Sequence, residues 1–243
     1  MEKVTRRDAI ALSGSTLAGL SLGMLTAEQL EAQAAPQAAP QEWPATLVER
    51  PRREGFPASL PLNPDGSAPN HPESAAGPIS DPIFWRTTDR STPVIEYDYQ
   101  KLAIKVDTRG MAKLGGTLHF SDLEPLPRVS NTFLLQCGAA NPRGIVKWTG
   151  VRFVDFANML GIVPGVHYAR FVASDRFYVD EDMETLTHPQ VMLAWLMNDE
   201  PIAPKHGAPL RLIIPFRYGN RSIKAIQEIT FSTPGLPTAP LPG

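Results

Sequence analysis

The placement of proline restricts the fold of this chain more than any other feature of its sequence. The protein has 243 residues and 25 prolines, and 11 of these prolines fall within residues 36–82. Proline lacks a backbone N–H and has a fixed φ angle, so it is disfavoured in helix interiors and central strands. We therefore predict that residues 36–82 form an extended arm lying across the surface of a body at residues 83–232. Residues 233–243 are a second proline-rich stretch, and their composition predicts a disordered tail.

Residues 1–35 contain the three parts of an export signal. Thr5-Arg6-Arg7-Asp8 precedes an uncharged stretch at residues 9–25, and the small-residue site Ala32-Gln33-Ala34 follows. The paired arginines are typical of a twin-arginine signal. A membrane anchor is the alternative, but the stretch has only 17 residues, diluted by Ser, Thr and Gly, which is short and weakly apolar for a span. We predict removal of residues 1–35 and a periplasmic location.

Composition excludes several classes of function. The single cysteine excludes an intrachain disulfide, a multi-cysteine zinc or iron–sulfur site and a c-type haem attachment. The chain is 42% hydrophobic and 20% charged, as expected for a globular protein, and its formal net charge is -2. This charge gives no electrostatic basis for nucleic-acid binding.

The body has a mainly β pattern. Strands are predicted at Tyr99–Val106, Thr117–Phe120, Val129–Cys137, Tyr168–Val172, Val191–Met197, Leu210–Phe216 and Ile226–Phe231. We predict a helical turn at residues 121–123 and an amphipathic helix at residues 153–160. The acidic residues at 180–184 are interpreted as a solvated face. Strands with a few short helices indicate the α+β class.

Cys137 is the first chemistry-bearing feature. It ends a predicted strand and precedes a loop of Gly, Ala, Asn and Pro. A free thiol in an exported protein meets an oxidising compartment. It is then a buried small apolar residue, a nucleophile paired with His206 or His167, or a thiolate ligand of a soft metal or metal cofactor.

The second feature is the cationic segment at residues 205–224. A strongly apolar strand is bracketed there by His206, Arg211, Arg221 and Lys224. The glycine-centred turn at residues 219–220 exposes backbone N–H groups, and nearby cations supply charge, which is what a phosphate requires. Solvated strand edges are the alternative, since simple alternation would point Arg211 outward.

These two features and three others resemble, in order, the sulfite oxidase superfamily, the molybdopterin-binding oxidoreductase domain. His-Gly-x-Pro-x-Arg from residue 206, followed by Tyr-Gly-x-Arg-Ser-x-Lys from residue 218, resembles its cofactor-binding segment. Phe-Leu-Leu-Gln-Cys at 133–137 resembles its metal-ligand strand. The remaining elements are Trp-Thr-Gly at 148–150, the hairpin at 192–202 and the early aromatic segment Phe-Trp-Arg at 84–86.

The resemblance implies a sulfite-oxidase-type molybdopterin-binding fold and a mononuclear molybdenum held by a pterin dithiolene, with Cys137 as the thiolate ligand. The pterin and its phosphate would be held by Phe84, Trp85, Arg86, Ser174, Asp175, His206, Arg211, Arg221, Ser222 and Lys224. Arg143 and Tyr178 are the candidate catalytic residues on the substrate side.

The implied reaction is transfer of an oxygen atom to or from a sulfur centre, as sulfoxide reduction or sulfite oxidation. The loop at 137–143 resembles that of sulfite-oxidising members with one extra residue. The short spacing from Cys137 to Trp148 resembles the periplasmic methionine-sulfoxide reductase catalytic subunits. The substrate therefore stays open.

The resemblance also bears on partners. The sequence has no haem motif, so electrons would pass through a separate partner, a cytochrome or a membrane quinol-linked subunit. We expect a small sulfur-containing substrate and a monomer. The alternative, favoured by the altered cysteine loop, is a non-catalytic exported binding or scaffold protein on the same fold.

Overall fold

Ten strands in two five-stranded sheets form the framework of this computed structural model, which describes residues 59–81, 85–138 and 143–237. The strands are β1 Ala103–Asp107, β2 Gly116–His119, β3 Arg128–Gln136, β4 Arg143–Arg152, β5 Tyr168–Ala173, β6 Tyr178–Asp182, β7 Met192–Met197, β8 Glu200–Pro201, β9 Arg211–Ile213 and β10 Ile226–Ser232. Three short α-helices connect them: α1 Phe120–Leu123, α2 Phe153–Leu160 and α3 Met183–Leu186. The α+β, mostly β prediction is confirmed.

The two sheets have different connectivity. The first sheet has the order β2-β1-β10-β5-β6, and in it β1 and β10 pair in parallel. The second has the order β3-β4-β7-β8, with β9 also paired to β7. The other described strand pairs are antiparallel. Because β7 and β9 are neighbours, the cationic segment is brought beside the centre of the second sheet.

The apolar run in β7 is explained by burial on both faces of the strand. Leu193 and Trp195 pack into the larger core with α2 and the first sheet. Met192 and Ala194 face a second core that contains Trp148. Side chains alternate between the two faces of a strand, so a strand covered on both sides needs apolar residues at every position. The predicted buried strand is confirmed.

The predicted amphipathic helix is confirmed as α2. Its buried side chains are Phe153, Phe156, Ala157 and Leu160, which recur at helical spacing on one face. The helix ends at Gly161, which has the left-handed conformation at φ +67°. Glycine adopts this conformation without steric strain because it lacks a Cβ.

Two predicted strands are shorter in the structure. Residues Tyr99–Lys101 form a 3₁₀ turn, in which the Asp98 side chain accepts a hydrogen bond from the Gln100 amide, so β1 starts only at Ala103. Strand β9 ends at Ile213, because the next amide, that of Ile214, donates to the Ser222 hydroxyl instead of to a strand.

The solvated-face interpretation of residues 180–184 is wrong for Glu181, whereas Glu184 is exposed. Residues 178–182 form β6, and α3 begins at Met183. Glu181 points inward and is only 6% exposed, because the Arg221 guanidinium donates to it from a distant part of the chain. The expectation that alternation points Arg211 outward is also wrong, since this side chain is 5% exposed.

The described part of the N-terminal segment, residues 59–81, runs along the second sheet. The His71 amide donates to the Thr132 carbonyl in β3, and the Gly77 amide donates to the Ile145 carbonyl in β4. The Gln190 side chain exchanges two hydrogen bonds with the backbone of Ala68. These contacts bring Ile79 to the end of the sheet where the site lies.

Other predicted segments lie outside the described residues, namely the export signal and the tail from residue 238 onward. The proposed division of the chain at residues 35, 82 and 232 stays a prediction. Within the described residues, no helix has the length and apolar character needed to cross a bilayer.

Candidate active site

A cavity lies where β3 ends, and segments from distant parts of the chain form its wall. The lining residues are Ile79, Arg86, Leu135, Cys137, Asp175, Phe177, His206, Arg211, Gly219, Asn220, Ser222, Ile223 and Lys224. Seven of these were predicted as site residues from the sequence. The structure therefore brings the thiol and most of the cationic segment to one place.

Cys137 lines this cavity and comes immediately after β3. It is a free, half-buried thiol. The turn at Gly219 is fixed against it, because the Gly219 amide donates to the Gln136 carbonyl at 2.7 Å. A Cβ on Gly219 would lie 3.3 Å from Leu135 Cδ1 and 3.7 Å from Cys137 Cα. This close packing holds the turn next to the thiol.

Arg211 is a buried cation that has no carboxylate partner within the part of the chain that the structure describes. Its Nη1 donates to the His206 carbonyl at 2.8 Å, and its guanidinium lies 5.2 Å from the ring centre of Trp148. Its Nε has no hydrogen-bond partner among the described residues. Burial lowers the Arg211 pKa to about 10, so the group stays charged at neutral pH and can accept an anion.

Lys224 is the second buried cation of the cavity. Its Nζ lies 3.5 Å from the ring centre of Trp85 and has no hydrogen-bond partner in the described structure. Burial, and then the charge of Arg211, lower the Lys224 pKa to about 7. Gly207 permits this position: its φ is +109°, and a Cβ there would lie 2.7 Å from Lys224 Cβ.

Asp175 orients one wall of the cavity through backbone hydrogen bonds. One of its carboxylate oxygens accepts from the Arg86 amide at 2.8 Å, and the other accepts from the Phe177 amide at 3.1 Å. The Arg86 guanidinium stacks over the Phe177 ring at 4.6 Å. The hydroxyl of the neighbouring Ser174 is buried without a described partner, but Ser174 does not line the cavity.

Ser222 and His206 complete the polar part of the wall. The Ser222 hydroxyl accepts from the Ile214 amide at 3.0 Å, so its own O–H remains able to donate to a ligand. Burial, followed by the charges of Arg211 and Lys205, lowers the His206 pKa. The neutral imidazole is therefore favoured at pH 7 in the free protein.

Several predicted site residues do not line the cavity. Arg221 points away from it and donates through Nε to Glu181. The ring of Trp85 contacts the Lys224 ammonium. The ring of Tyr178, in β6, contacts the guanidinium of Arg170, in β5. Phe84 lies outside the described residues.

Two further candidates have contacts that define their surroundings. Arg143 is the first residue of β4 and does not line the cavity. It donates through Nε to the side chain of Gln136, the residue before Cys137, at 3.2 Å. His167, the alternative partner for a nucleophilic thiol, contacts the Thr233 hydroxyl at 3.2 Å and does not line the cavity.

Sequence reasoning missed the apolar part of the wall. Ile79 comes from the N-terminal segment, and Phe177 comes from the turn between β5 and β6. Leu135 and Ile223 lie within motifs that the sequence analysis identified, so membership in those motifs was a usable signal. The ring of Trp148 contacts the Arg211 guanidinium. Trp148 belongs to the Trp-Thr-Gly element identified from the sequence, but that motif does not predict this contact.

The residues of the cavity fit a phosphate-bearing cofactor with sulfur ligands of its own. Within the described residues no group of three or more His, Cys, Asp or Glu could hold a metal ion. The sequence has one cysteine, so Cys137 is the single protein thiol available at the cavity. A metal bound there must bring its remaining ligands, and soft sulfur ligands match a thiolate. The unpartnered Arg211 Nε and Lys224 Nζ match a phosphate group.

The fold and this cavity define a class of protein, an α+β domain with a cavity lined by one free thiol and two buried cations. The family model for the oxidoreductase molybdopterin binding domain matches residues 91–237. The chain belongs to this family of molybdopterin-binding domains, and its cofactor is molybdenum-molybdopterin. The resemblance stated from the sequence motifs is thereby confirmed.

Characterised relatives share a limited identity with the chain. It is 29% identical over 176 residues to the putative protein-methionine-sulfoxide reductase subunit YedZ1 of Azospira oryzae, covering 72% of this chain and 65% of that protein. It is 26% identical to the mitochondrial sulfite oxidase of Drosophila melanogaster, covering 60% and 30% respectively. It is also 26% identical to the catalytic subunit MsrP of Campylobacter jejuni, covering 53% and 48%. The chain thus spans less than two thirds of each of these relatives.

A solved structure supports the fold. The sulfane dehydrogenase SoxCD of Paracoccus pantotrophus superposes with a TM-score of 0.51 at 18% identity, covering 85% of this chain and 59% of that one. At this identity the similarity establishes the fold alone, and it confirms the sulfite-oxidase-type architecture.

Proposed function

We propose that the protein is an exported oxidoreductase that transfers an oxygen atom to or from a sulfur centre, with Cys137 as the protein ligand of the molybdenum. The observation that carries the proposal is the presence of this lone thiol in the same cavity as Arg211 and Lys224, two buried cations that pair with no carboxylate in residues 59–81, 85–138 and 143–237. The bound cofactor supplies two-electron oxygen-atom transfer, while the protein supplies orientation and electrostatics.

The cationic wall holds the cofactor phosphate in this proposal. Arg211 and Lys224 provide charge, and the Ser222 hydroxyl provides a hydrogen-bond donor. An anion beside Lys224 favours its protonated form, which offsets the burial that lowers its pKa to about 7. Binding therefore takes up a proton at Nζ near neutral pH.

The apolar wall favours a substrate with an apolar group beside its sulfur. Ile79, Leu135 and Phe177 line the cavity together with Cys137. A thioether sulfoxide fits such a wall better than a fully solvated anion does, because burying a charge without a partner is costly. Arg143, which donates to the side chain of Gln136 next to Cys137 in the sequence, is the proposed contact for the substrate oxygen.

Sulfite oxidation is the second candidate reaction. It is favoured by the cationic side chain of Arg86 on the same wall and by a relative named sulfite oxidase. Stopped-flow absorbance separates the two reactions, with the reduced protein mixed with methionine sulfoxide and the oxidised protein mixed with sulfite. We expect methionine sulfoxide to reoxidise the reduced protein. If neither compound changes the spectrum, oxygen transfer at sulfur is wrong.

Electron transfer is assigned to a separate partner, a cytochrome or a membrane quinol-linked subunit. Two relatives are named as subunits, which supports this assignment, and the sequence contains no haem motif. Export by the twin-arginine route would carry the protein already folded around its cofactor. Changing Arg6 and Arg7 together to lysine should retain the protein in the cytoplasm, as cell fractionation would reveal.

Metal and pterin analysis tests the central proposal. The protein, purified from a host that makes molybdopterin, should contain equimolar molybdenum and pterin. Cys137→Ser should abolish turnover while the chain stays folded, because the hydroxyl is a poor soft-metal ligand. Turnover by the Cys137→Ser protein would contradict the ligand role, and a wild type lacking both molybdenum and pterin would favour the scaffold alternative.

Thiol alkylation distinguishes the ligand role from a nucleophilic role. Iodoacetamide should modify Cys137 in folded, cofactor-free protein, where the thiol is half-buried and free, and should not modify it when the cofactor is bound. Equal modification rates in both forms would indicate that the thiol does not coordinate the metal.

A further inference from the structure

The side chain of Arg221 connects the cavity turn to the opposite sheet. Arg221 lies between Asn220 and Ser222, which both line the cavity. Its own guanidinium turns away and donates through Nε to Glu181 in β6 at 2.5 Å, and through Nη2 to the carbonyl of Asp180. Arginine can bind in this two-pronged way because its donors form a planar fork.

The acceptor of this ion pair is buried. The Glu181 side chain is 6% exposed, whereas the Arg221 side chain is 36% exposed. A buried carboxylate without its cation is strongly destabilising. The inward position of Glu181 in β6 therefore depends on Arg221 keeping its present orientation.

The same turn is anchored to the second sheet by other contacts. The Gly219 amide donates to the Gln136 carbonyl, and the Ser222 amide donates back to Gly219. The Ile214 amide, just after β9, donates to the Ser222 hydroxyl. The Arg221–Glu181 pair adds an attachment to the first sheet, so the turn is held between both sheets.

We propose that Arg221 is a positioning residue, which acts through Glu181 to hold residues 219–222 in the conformation that binds the cofactor phosphate. This inference rests on the proposed phosphate site, and it departs from the expectation that Arg221 itself contacts the pterin or its phosphate. It assigns Glu181, which no sequence motif indicated, to the support of the site.

A double-mutant cycle separates the two roles. The variants are Arg221→Gln, Glu181→Gln and the pair together, and the readout is the affinity of the cofactor-free, full-length protein for inorganic phosphate by calorimetry. A positioning role predicts that each single substitution weakens binding by about tenfold. The double variant should be no weaker than either single one, because the two residues act as one unit.

Direct contact with phosphate predicts a different pattern. Arg221→Gln would weaken binding, while Glu181→Gln would leave it unchanged or tighten it by releasing the guanidinium. That pattern would overturn the proposal. Arg221→Lys, which keeps the charge but loses the planar fork, should show an intermediate loss and serves in place of Arg221→Gln should that variant not fold.

Asp180→Asn is the matched control. It removes the neighbouring Arg170–Asp180 ion pair on the same strand but leaves the Asp180 carbonyl that accepts from Arg221. Phosphate affinity should be unchanged in this variant. A loss as large as that of Glu181→Gln would show that β6 is sensitive to any lost ion pair, and the specific role of Arg221 would be wrong.

Hydrogen exchange tests the inference independently of any ligand. In the cofactor-free protein, the amides of residues 219–223 should exchange faster in Arg221→Gln and Glu181→Gln than in the wild type or in Asp180→Asn. Unchanged exchange would overturn the positioning role. A wild type that binds no phosphate but shows the predicted exchange pattern would instead refute the phosphate site and preserve the support of the turn.

Discussion

Replacing Lys224 with methionine should stabilise the cofactor-free protein. The Lys224 pKa falls from 10.5 to about 7, and at about 1.4 kcal/mol per pH unit this shift corresponds to roughly 5 kcal/mol of cost for the charged form. The contact with the Trp85 face favours the charged form, as a desolvated cation–π pair does, so this cost is an upper bound.

The sign of the pH dependence follows from the direction of the shift. Because the Lys224 pKa is lowered on folding, the unfolded chain binds a proton between about pH 7 and 10.5 that the folded chain lacks. The free energy of unfolding therefore rises with pH across this window, and the full cost applies below about pH 7. Lys224→Met removes both the cost and its pH dependence, because methionine has no charge to desolvate.

Urea unfolding of the cofactor-free protein measures this effect. At pH 6.5, Lys224→Met should be more stable than the wild type by up to about 5 kcal/mol, and the difference should narrow steadily above pH 7. Lys101→Met is the control, since that lysine is 67% exposed and its loss should change stability by less than about 0.5 kcal/mol. A Lys224→Met protein that is less stable at pH 6.5, or whose gain does not vary with pH, would refute the reasoning.

Three further substitutions test the contacts around the site. Gly207→Ala places a Cβ 2.7 Å from Lys224 Cβ at a φ of +109°. Urea unfolding should show a loss of about 2 kcal/mol of stability, and calorimetry should show weaker phosphate binding. Gly150→Ala places a Cβ 1.9 Å from the Leu193 carbonyl oxygen and should cost roughly 3 kcal/mol; an unchanged urea midpoint would contradict the tight β4–β7 pairing. Trp85→Leu removes the aromatic face that contacts Lys224, and this loss should lower the Lys224 pKa further. When phosphate affinity is measured at a series of pH values, its midpoint should therefore shift to lower pH.

Periodicity was sufficient to predict the elements that bury an unbroken apolar face. The helix α2 and the strand β7 are of this kind, because their neighbours require apolar residues at positions that the sequence reveals directly. Strand β6 was not predictable from local sequence. Its inward positions hold Val179 and Glu181. Because Glu181 is charged, the alternation of apolar and polar residues cannot be recognised unless its partner Arg221, forty residues further on, is known.

The site divides in the same way. The order of motifs in the sequence predicted that Cys137 and the cationic segment belong to one site. The structure places both around one cavity. The direction in which a long side chain points could not be predicted from the motifs. The Arg221 side chain points toward Glu181, a buried carboxylate on another sheet, because it donates a hydrogen bond to it. Ile79 and Phe177 had no sequence signal, because a cavity wall made by a loop and an extended segment carries no periodicity.

The availability of the buried cations depends on where the nearby carboxylates are engaged. Asp175 uses both of its oxygens on backbone amides, Glu181 accepts from Arg221, and Asp81 pairs with Lys205 outside the cavity wall. Each of these acids thus has another partner than Arg211 or Lys224, and aromatic faces contact those two cations instead. An aromatic face stabilises a cation without neutralising it, so the charge stays available for an incoming phosphate. The fold therefore accepts a stability cost in the cofactor-free state, and binding of an anion that favours the folded state reverses that cost.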